Sequence, residues 1–236
     1  MSRFLASAAT LLLSGGSAVA GGGTPSYPVA TLPAALRENA HAVVRNEEQT
    51  LVVKSMSRTV ETVRRAVTIL DEAGADWATL RVYYDQLNTV SYLRGTVYNA
   101  AGQAYLQLRP ANVRDYGLSD GSTLASDGRA RIADLRQPVY PYTVEYEYEV
   151  VSNNLLFYPS WHPQREEQLA VEKSSFRVVT PSDLPLRFQE EHLPAGVTAQ
   201  HTLQGTTDVY QWQLQNLVAL DDEPDSPPST CRPQSC

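Results

Sequence analysis

Period two governs this chain. From Ala42 to Leu217, apolar and polar residues alternate in short runs separated by turn-forming residues, the pattern of half-buried strands. The clearest run is YPYTVEYEYEV, Tyr140 to Val150. Val144, Tyr146, Tyr148 and Val150 fall on one side, and Glu145, Glu147 and Glu149 on the other. Other strands are expected in TVETVRRAVTIL, ATLRVYYD, TVSYLRGTVYNA, AYLQL, RIADL, LLFYP, QLAVEKSSFRVVT, PLRFQEE, VTAQHTL and DVYQWQLQNL. AVVR and TLVVKSM flank NEEQ, which reads as a hairpin turn, and DEAGAD reads as a break. NAAGQ is a turn in which Gly102 can take a positive φ. TLPAALRENA is the one segment with a helical signal, because Pro33 suits a first turn and Ala34, Ala35 and Leu36 follow it. No strand–helix–strand spacing occurs, which disfavours a parallel sheet. The expected fold class is all-β: a two-layer antiparallel β-sandwich with one short N-terminal helix.

The ends read differently from the body. Arg3, the apolar FLASAATLLL and the small residues SAVA have the form of a signal peptide cleaved after Ala20. The apolar stretch is shorter than the ~20 residues a membrane span needs. The expected organisation is a signal peptide over 1–20, a mobile leader over 21–30, a β domain over 31–220 and a disordered tail over 221–236. This address is periplasmic or extracellular. Export would permit disulfides, yet the only cysteines are Cys231 and Cys236, in the tail. The fold therefore has to stand on burial. Net charge is −7 with no Lys/Arg run, which argues against nucleic acid as a partner.

Taken together and in order, AHAVVRNEE, RRAVTILDEAG, YYDQL, GTVYNAAGQ, LASDGRARI, YPYTVEYEYEV, FYPSW and SSFRVVTP resemble the domain of unknown function 3857 family, a β-rich exported bacterial module. The resemblance runs from about Tyr27 to about Leu220. It implies a module placed ahead of a transglutaminase-like domain, whose Cys-His-Asp chemistry is of the papain type. No catalytic residue carries over to this chain, because neither Cys231 nor Cys236 is followed by His or Asp. A genuine short form and a truncated one both remain open.

Several motifs invite a chemical reading. Successive Glu residues on one strand face lie roughly 6.5–7 Å apart, close to the carboxyl spacing of inverting glycosidases. Any Glu-x-Glu strand produces that spacing, however. The row reads as a solvent-facing strip opposed by Arg64, Lys173 and Arg177. GLSDG, Gly117 to Gly121, matches the nucleophile-elbow pattern but lacks the strand–turn–helix context that Ser119 would need. Asp115, Asp120, Asp127 and Asp134 are oxygen ligands without EF-hand spacing. Asp127 and Arg129 are expected to hydrogen-bond their own loop, Arg109 to Gly128, a long polar segment and a reasonable wall for any ligand. His41, His162, His192 and His201 are scattered without ligand spacing. No cofactor or metal is implied.

The aromatic cluster FYPSWHP is the remaining resource. Tyr158, Trp161 and His162 could present a platform to a sugar or peptide, form a hydrophobic plug, or meet a following domain. Packing or domain contact is the favoured reading. The functional expectation is a non-catalytic accessory or interaction module, with carbohydrate or peptide binding as the rival.

Overall fold

A computed structural model describes residues 26–118, 127–154, 158–191 and 193–221. The expected signal peptide, the first part of the leader and the tail beyond residue 221 lie outside the described residues. Most alternating segments become strands: β1 (Ala42–Ser55), β2 (Arg58–Ile69), β3 (Thr79–Tyr84), β4 (Asn88–Tyr98), β5 (Ala104–Gln107), β6 (Val113–Gly117), β7 (Arg129–Asp134), β8 (Tyr142–Ser152), β9 (Leu169–Pro181), β10 (Gln200–Gln204) and β11 (Thr207–Leu217). They form one eight-stranded sheet, ordered β10-β11-β9-β1-β2-β8-β4-β5, and one three-stranded sheet, β3-β7-β6.

The large sheet is mixed, not antiparallel. β1 and β9 run parallel from Ala42 opposite Leu169 to Val52 opposite Val179. The absence of strand–helix–strand spacing did not exclude this pairing, because β2 to β8 serve as the connection in place of a helix. NEEQ is not a turn either, for it lies within the continuous β1. The register shifts between Val44 and Asn46, so a bulge brings Glu47 and Gln49 onto the buried side. The chain reverses at Met56–Ser57 instead.

The helical signal in TLPAALRENA yields only 3-10 turns at Val29–Thr31 and Ala34–Leu36. Leu36 anchors the second against Leu32, Ala40, Val43 and Ala170. DEAGAD, read as a break, is a 3-10 helix over Glu72–Ala78, capped by the Asp71 carboxylate accepting from the Ala73 and Gly74 amides. Gly74 is required there, since a Cβ would sit 2.3 Å from the His41 carbonyl oxygen. Gly102 takes φ +79°, as its turn demands. The long polar segment carries β6 in its first half, PLRFQEE forms no strand, and Leu155 to Phe157 of LLFYP lie outside the described residues.

Burial is organised around the large sheet. On one face, Val67, Val97, Val144 and Tyr146 meet Leu80, Val82 and Ala133 of the small sheet. Tyr146 donates its hydroxyl to the Ala78 carbonyl. Further along that face, Leu51, Val53, Phe176, Val178 and Trp212 form a second core, with Trp161, Leu184, Leu186 and Leu193 packed against it. The opposite face is crossed by the N-terminal segment. The described end of the leader is tied down: Val29 N–H donates to the Ala100 carbonyl, and Arg45 holds the Pro28 carbonyl and Thr31 hydroxyl.

Candidate functional site

β9 and β11 are neighbours in register, with Phe176 opposite Trp212 and Val178 opposite Tyr210. Period-two alternation therefore sets their aromatic side chains on one face. Phe176 and Trp212 stack at 5.6 Å between ring centroids, 23° from parallel. Above this floor the chain passes twice without pairing into the sheet. Tyr158 to His162 forms one wall of a groove, and Leu186 to Glu191 with Leu193 the other, enclosing about 370 Å³. That is near the lower end of the ~300–1,000 Å³ typical of small-ligand sites.

The two walls are held by different contacts. Trp161 is half-buried, and its indole N–H donates to the Ser174 hydroxyl at 2.9 Å. Ser174 donates in turn to Glu47 at 2.9 Å. Glu47 is 1% exposed. It also meets Arg165, 3.2 Å away and on the same connection as Trp161, and Arg65 at 3.7 Å. The Glu47 carboxylate of β1 thus fixes one wall from below. On the other wall, Glu190 accepts from the Trp212 indole N–H at 2.7 Å and from the Ala199 amide at 2.8 Å. Phe188 packs edge-on to Trp212 at 86° and to Tyr210 at 65°, yet stays 48% exposed. Tyr158 is the second exposed aromatic at the mouth, and burial raises its hydroxyl pKa.

The structure brings Tyr158, Trp161 and His162 to this groove. It does not bring Asp127 or Arg129 there. Asp127 is exposed just before β7. Arg129 lies in the small sheet and does not hydrogen-bond its own loop alone, since it donates to Asp115 on β6 and to the Tyr84 hydroxyl on β3. The four aspartates do not converge either. Asp115 is claimed by Arg129, Arg131 and Tyr84 and Asp134 by Arg136, while Asp120 lies outside the described residues, as do Ser119 and His192. His41 pairs with Asp71 and His201 with Asp208.

Sequence reasoning missed Phe176, Phe188, Glu190 and Trp212. Phe176 and Trp212 were visible as strand aromatics, but their shared face follows from a non-local pairing. Phe188 was hidden in a segment mistaken for a strand.

The glutamate row is not a solvent-facing strip. Glu145 is 9% exposed. It accepts from Tyr27 at 2.8 Å, Tyr98 at 2.7 Å and Arg64 at 2.7 Å. The N-terminal segment covers it there. Glu147 and Glu149 are half-buried, and Tyr92 donates to Glu147 at 2.8 Å. Burial first, then the Glu145 carboxylate, pushes the Tyr98 hydroxyl well above its ordinary pKa. Arg64 opposes the row as expected. Lys173 and Arg177 do not, because they lie on β9, with β1 and β2 between it and β8.

One solved structure, a "putative protease" from Parabacteroides distasonis ATCC 8503, matches with a TM-score of 0.60 at 12% identity, over 80% of this chain. The chain spans 38% of that protein, and at such identity the likeness concerns the fold alone. The M1 zinc metallopeptidase of Deinococcus radiodurans matches at a TM-score of 0.35 and 13% identity, over 76% of this chain and 40% of that one. So low a score carries no argument. No curated protein matches the sequence. Among the described residues no helix is long and apolar enough to cross a membrane. Residues 56–221, from the β1–β2 turn to the last described residue, match the domain of unknown function with solved structure, DUF3857, and the chain belongs to that family.

Proposed function

We propose that this chain is a non-catalytic, exported interaction module, and that the groove between Trp161 and Phe188 receives an apolar or aromatic side chain from a partner protein. A transglutaminase-like domain is one such partner. The observation that carries the reading is the pairing of a buried aromatic floor with exposed Tyr158 and Phe188 at the mouth, the kind of pocket in which an anchoring side chain is desolvated. The buried carboxylates support a structural rather than catalytic role for this module's charges. Glu47 and Glu145 both spend their lone pairs on hydroxyls and guanidiniums of the fold itself.

Carbohydrate binding is the second reading, favoured by the aromatic content of the groove. A sugar platform wants exposed rings lying in one plane. Here the exposed Phe188 stands at 86° to Trp212, which supports a side-chain pocket over a platform.

The test is a titration followed by tryptophan fluorescence, since Trp161 and Trp212 both line the groove. Probes are capped tetrapeptides carrying Phe, Leu or Ser, and chito-, cello- and malto-oligosaccharides. Saturable signals from the Phe and Leu peptides alone, weakened about ten-fold or more by Phe188→Ala, are expected. Signals from the sugars alone would favour the second reading, and silence from all probes would sink the groove as a site.

A further inference from the structure

The two sheets end in the edge strands β10, β5, β3 and β6. An edge presents unpaired N–H and C=O groups, a template for another strand, and proteins guard it with charge, proline or a bulge. β3 carries Arg81, and β6 carries Arg114 and Asp115. β5 is four residues long and bulged against β4. β10 has none of these guards. Its sequence is QHTLQ, and its register with β11 runs unbroken from Gln200 opposite Gln211 to Gln204 opposite Thr207.

The hairpin turn decides which backbone groups face outward. Gly205, at φ +64°, and Thr206 form it, and the residues that close such a two-residue turn bond each other. Gln204, Thr202 and Gln200 therefore bond β11, and alternation turns the N–H and C=O of His201 and Leu203 away from it. Two contacts agree with this phase. The Ala199 N–H, next in the outward series, donates to Glu190 at 2.8 Å. On the far side of β11, Thr207 stands opposite Pro181, which has no N–H to give. Among the described residues, no backbone bond reaches the outward groups of His201 and Leu203.

The side chains on this edge match a copy of themselves. QHTLQ is nearly a palindrome about Thr202. A second copy laid antiparallel, Thr202 facing Thr202, sets each His201 against the other copy's Leu203. Every outward N–H then meets an outward C=O. Leu203 is 64% exposed, and it gains the opposing imidazole, whose own ring is already stacked on Tyr210 at 4.5 Å. On the other side of the strand, Gln200 meets Gln204 and Thr202 meets itself, pairs in which each side chain both donates and accepts. A strand of unrelated sequence would satisfy the backbone without this side-chain symmetry. β10 also holds no Asp, Glu, Lys or Arg, so copies of net charge −7 meet where like charges do not face each other.

We propose that this chain dimerises through β10, joining two eight-stranded sheets into one across a two-fold axis at Thr202. Five residues a side make a small interface, of the size that gives weak, reversible association. This contact is independent of the groove.

Sedimentation velocity over a hundred-fold concentration range should show a reversible monomer–dimer equilibrium. Leu203→Pro removes an outward donor that β11 does not use, and should weaken dimerisation ten-fold or more. Leu203→Lys keeps the backbone and sets a charge beside the axis, and should do the same, with an unfolding midpoint near that of the wild type. Phe188→Ala should leave the equilibrium untouched, which separates the edge from the groove. In a Cys231→Ser/Cys236→Ser background, Thr202→Cys should cross-link on oxidation, because facing residues of this pair type stand about 4.5 Å apart at Cα. Gln200→Cys and Gln204→Cys chains should cross-link when mixed and not when alone. A monomer at every concentration, a dimer that survives both Leu203 variants, or Gln200→Cys cross-linking to itself would each overturn the proposal.

Discussion

Glu47 and Glu145 lie on opposite faces of one sheet, in β1 and β8, and both carboxylates are buried. Their compensation differs. Glu145 is satisfied by short hydrogen bonds, with two tyrosine hydroxyls and the Arg64 fork all within 2.8 Å. Glu47 has one such bond, from Ser174 at 2.9 Å. Otherwise it depends on two guanidiniums standing off at 3.2 and 3.7 Å. Those cations also oppose each other: desolvation first, then the charge of Arg165, lowers the Arg65 pKa. Glu145 is a saturated acceptor, whereas Glu47 is the charge that keeps the half-buried Arg65 tolerable beside the more exposed Arg165. A buried carboxylate can therefore be structural in two ways, through its bonds or through its field.

The largest effect separates the two. Glu47→Ala strands Arg65 and releases the Trp161 wall, and should cost about 3–5 kcal/mol in urea unfolding. The loss should come with a red-shifted tryptophan emission, because the Trp161 indole leaves its Ser174 partner. A cost below that of Glu145→Ala would break the comparison.

Glu145→Ala should cost about 2–3 kcal/mol, since two hydroxyls lose an acceptor while Arg64, about a third exposed, turns to water. Double-mutant cycles of Glu145→Ala with Tyr27→Phe or Tyr98→Phe should show coupling. Strict additivity would mean that the tyrosines do not sense the carboxylate.

The smallest effect is Tyr27→Phe, about 1 kcal/mol near neutral pH. It sharpens the contrast through alkali. Burial first, then Glu145, raises the Tyr27 hydroxyl far above its ordinary pKa, and burial pushes Tyr148, on the Glu47 face, up to about 12. A raised tyrosine contributes stability that is fully present below the unfolded pKa of about 10 and is lost as pH rises toward the folded value. Unfolding midpoints of the wild type should hold from pH 7 to about 9 and fall above 10. Tyr27→Phe should make that fall shallower, with tyrosinate absorbance tracking the loss. An unchanged slope would show that Tyr148 and its neighbours carry the alkaline transition.

The strand content was legible because alternation is a local property. TVETVRRAVTIL and YTVEYEYEV carry their period in their own residues, and each became a strand over nearly its full length. The groove was half legible. Tyr158, Trp161 and His162 announced themselves by clustering beside prolines, whereas Phe176, Phe188 and Trp212 come from three segments brought together by register. Errors concentrated where charge is buried. NEEQ looked like a turn because a glutamate seldom enters a core as Glu47 does, and the Glu145 row looked wet for the same reason.

The sequence by itself determined that the chain is all-β, which segments alternate, where most turns fall and which family it belongs to, since each rests on neighbours along the chain. Only the tertiary structure decided that β1 lies parallel to β9, that a bulge sends Glu47 inward, and that Tyr27 closes over Glu145. The physical reason is the same in each case. Whether a polar face is wet or buried depends on what distant segment covers it, and a buried carboxylate is stable only where that segment also supplies its donors.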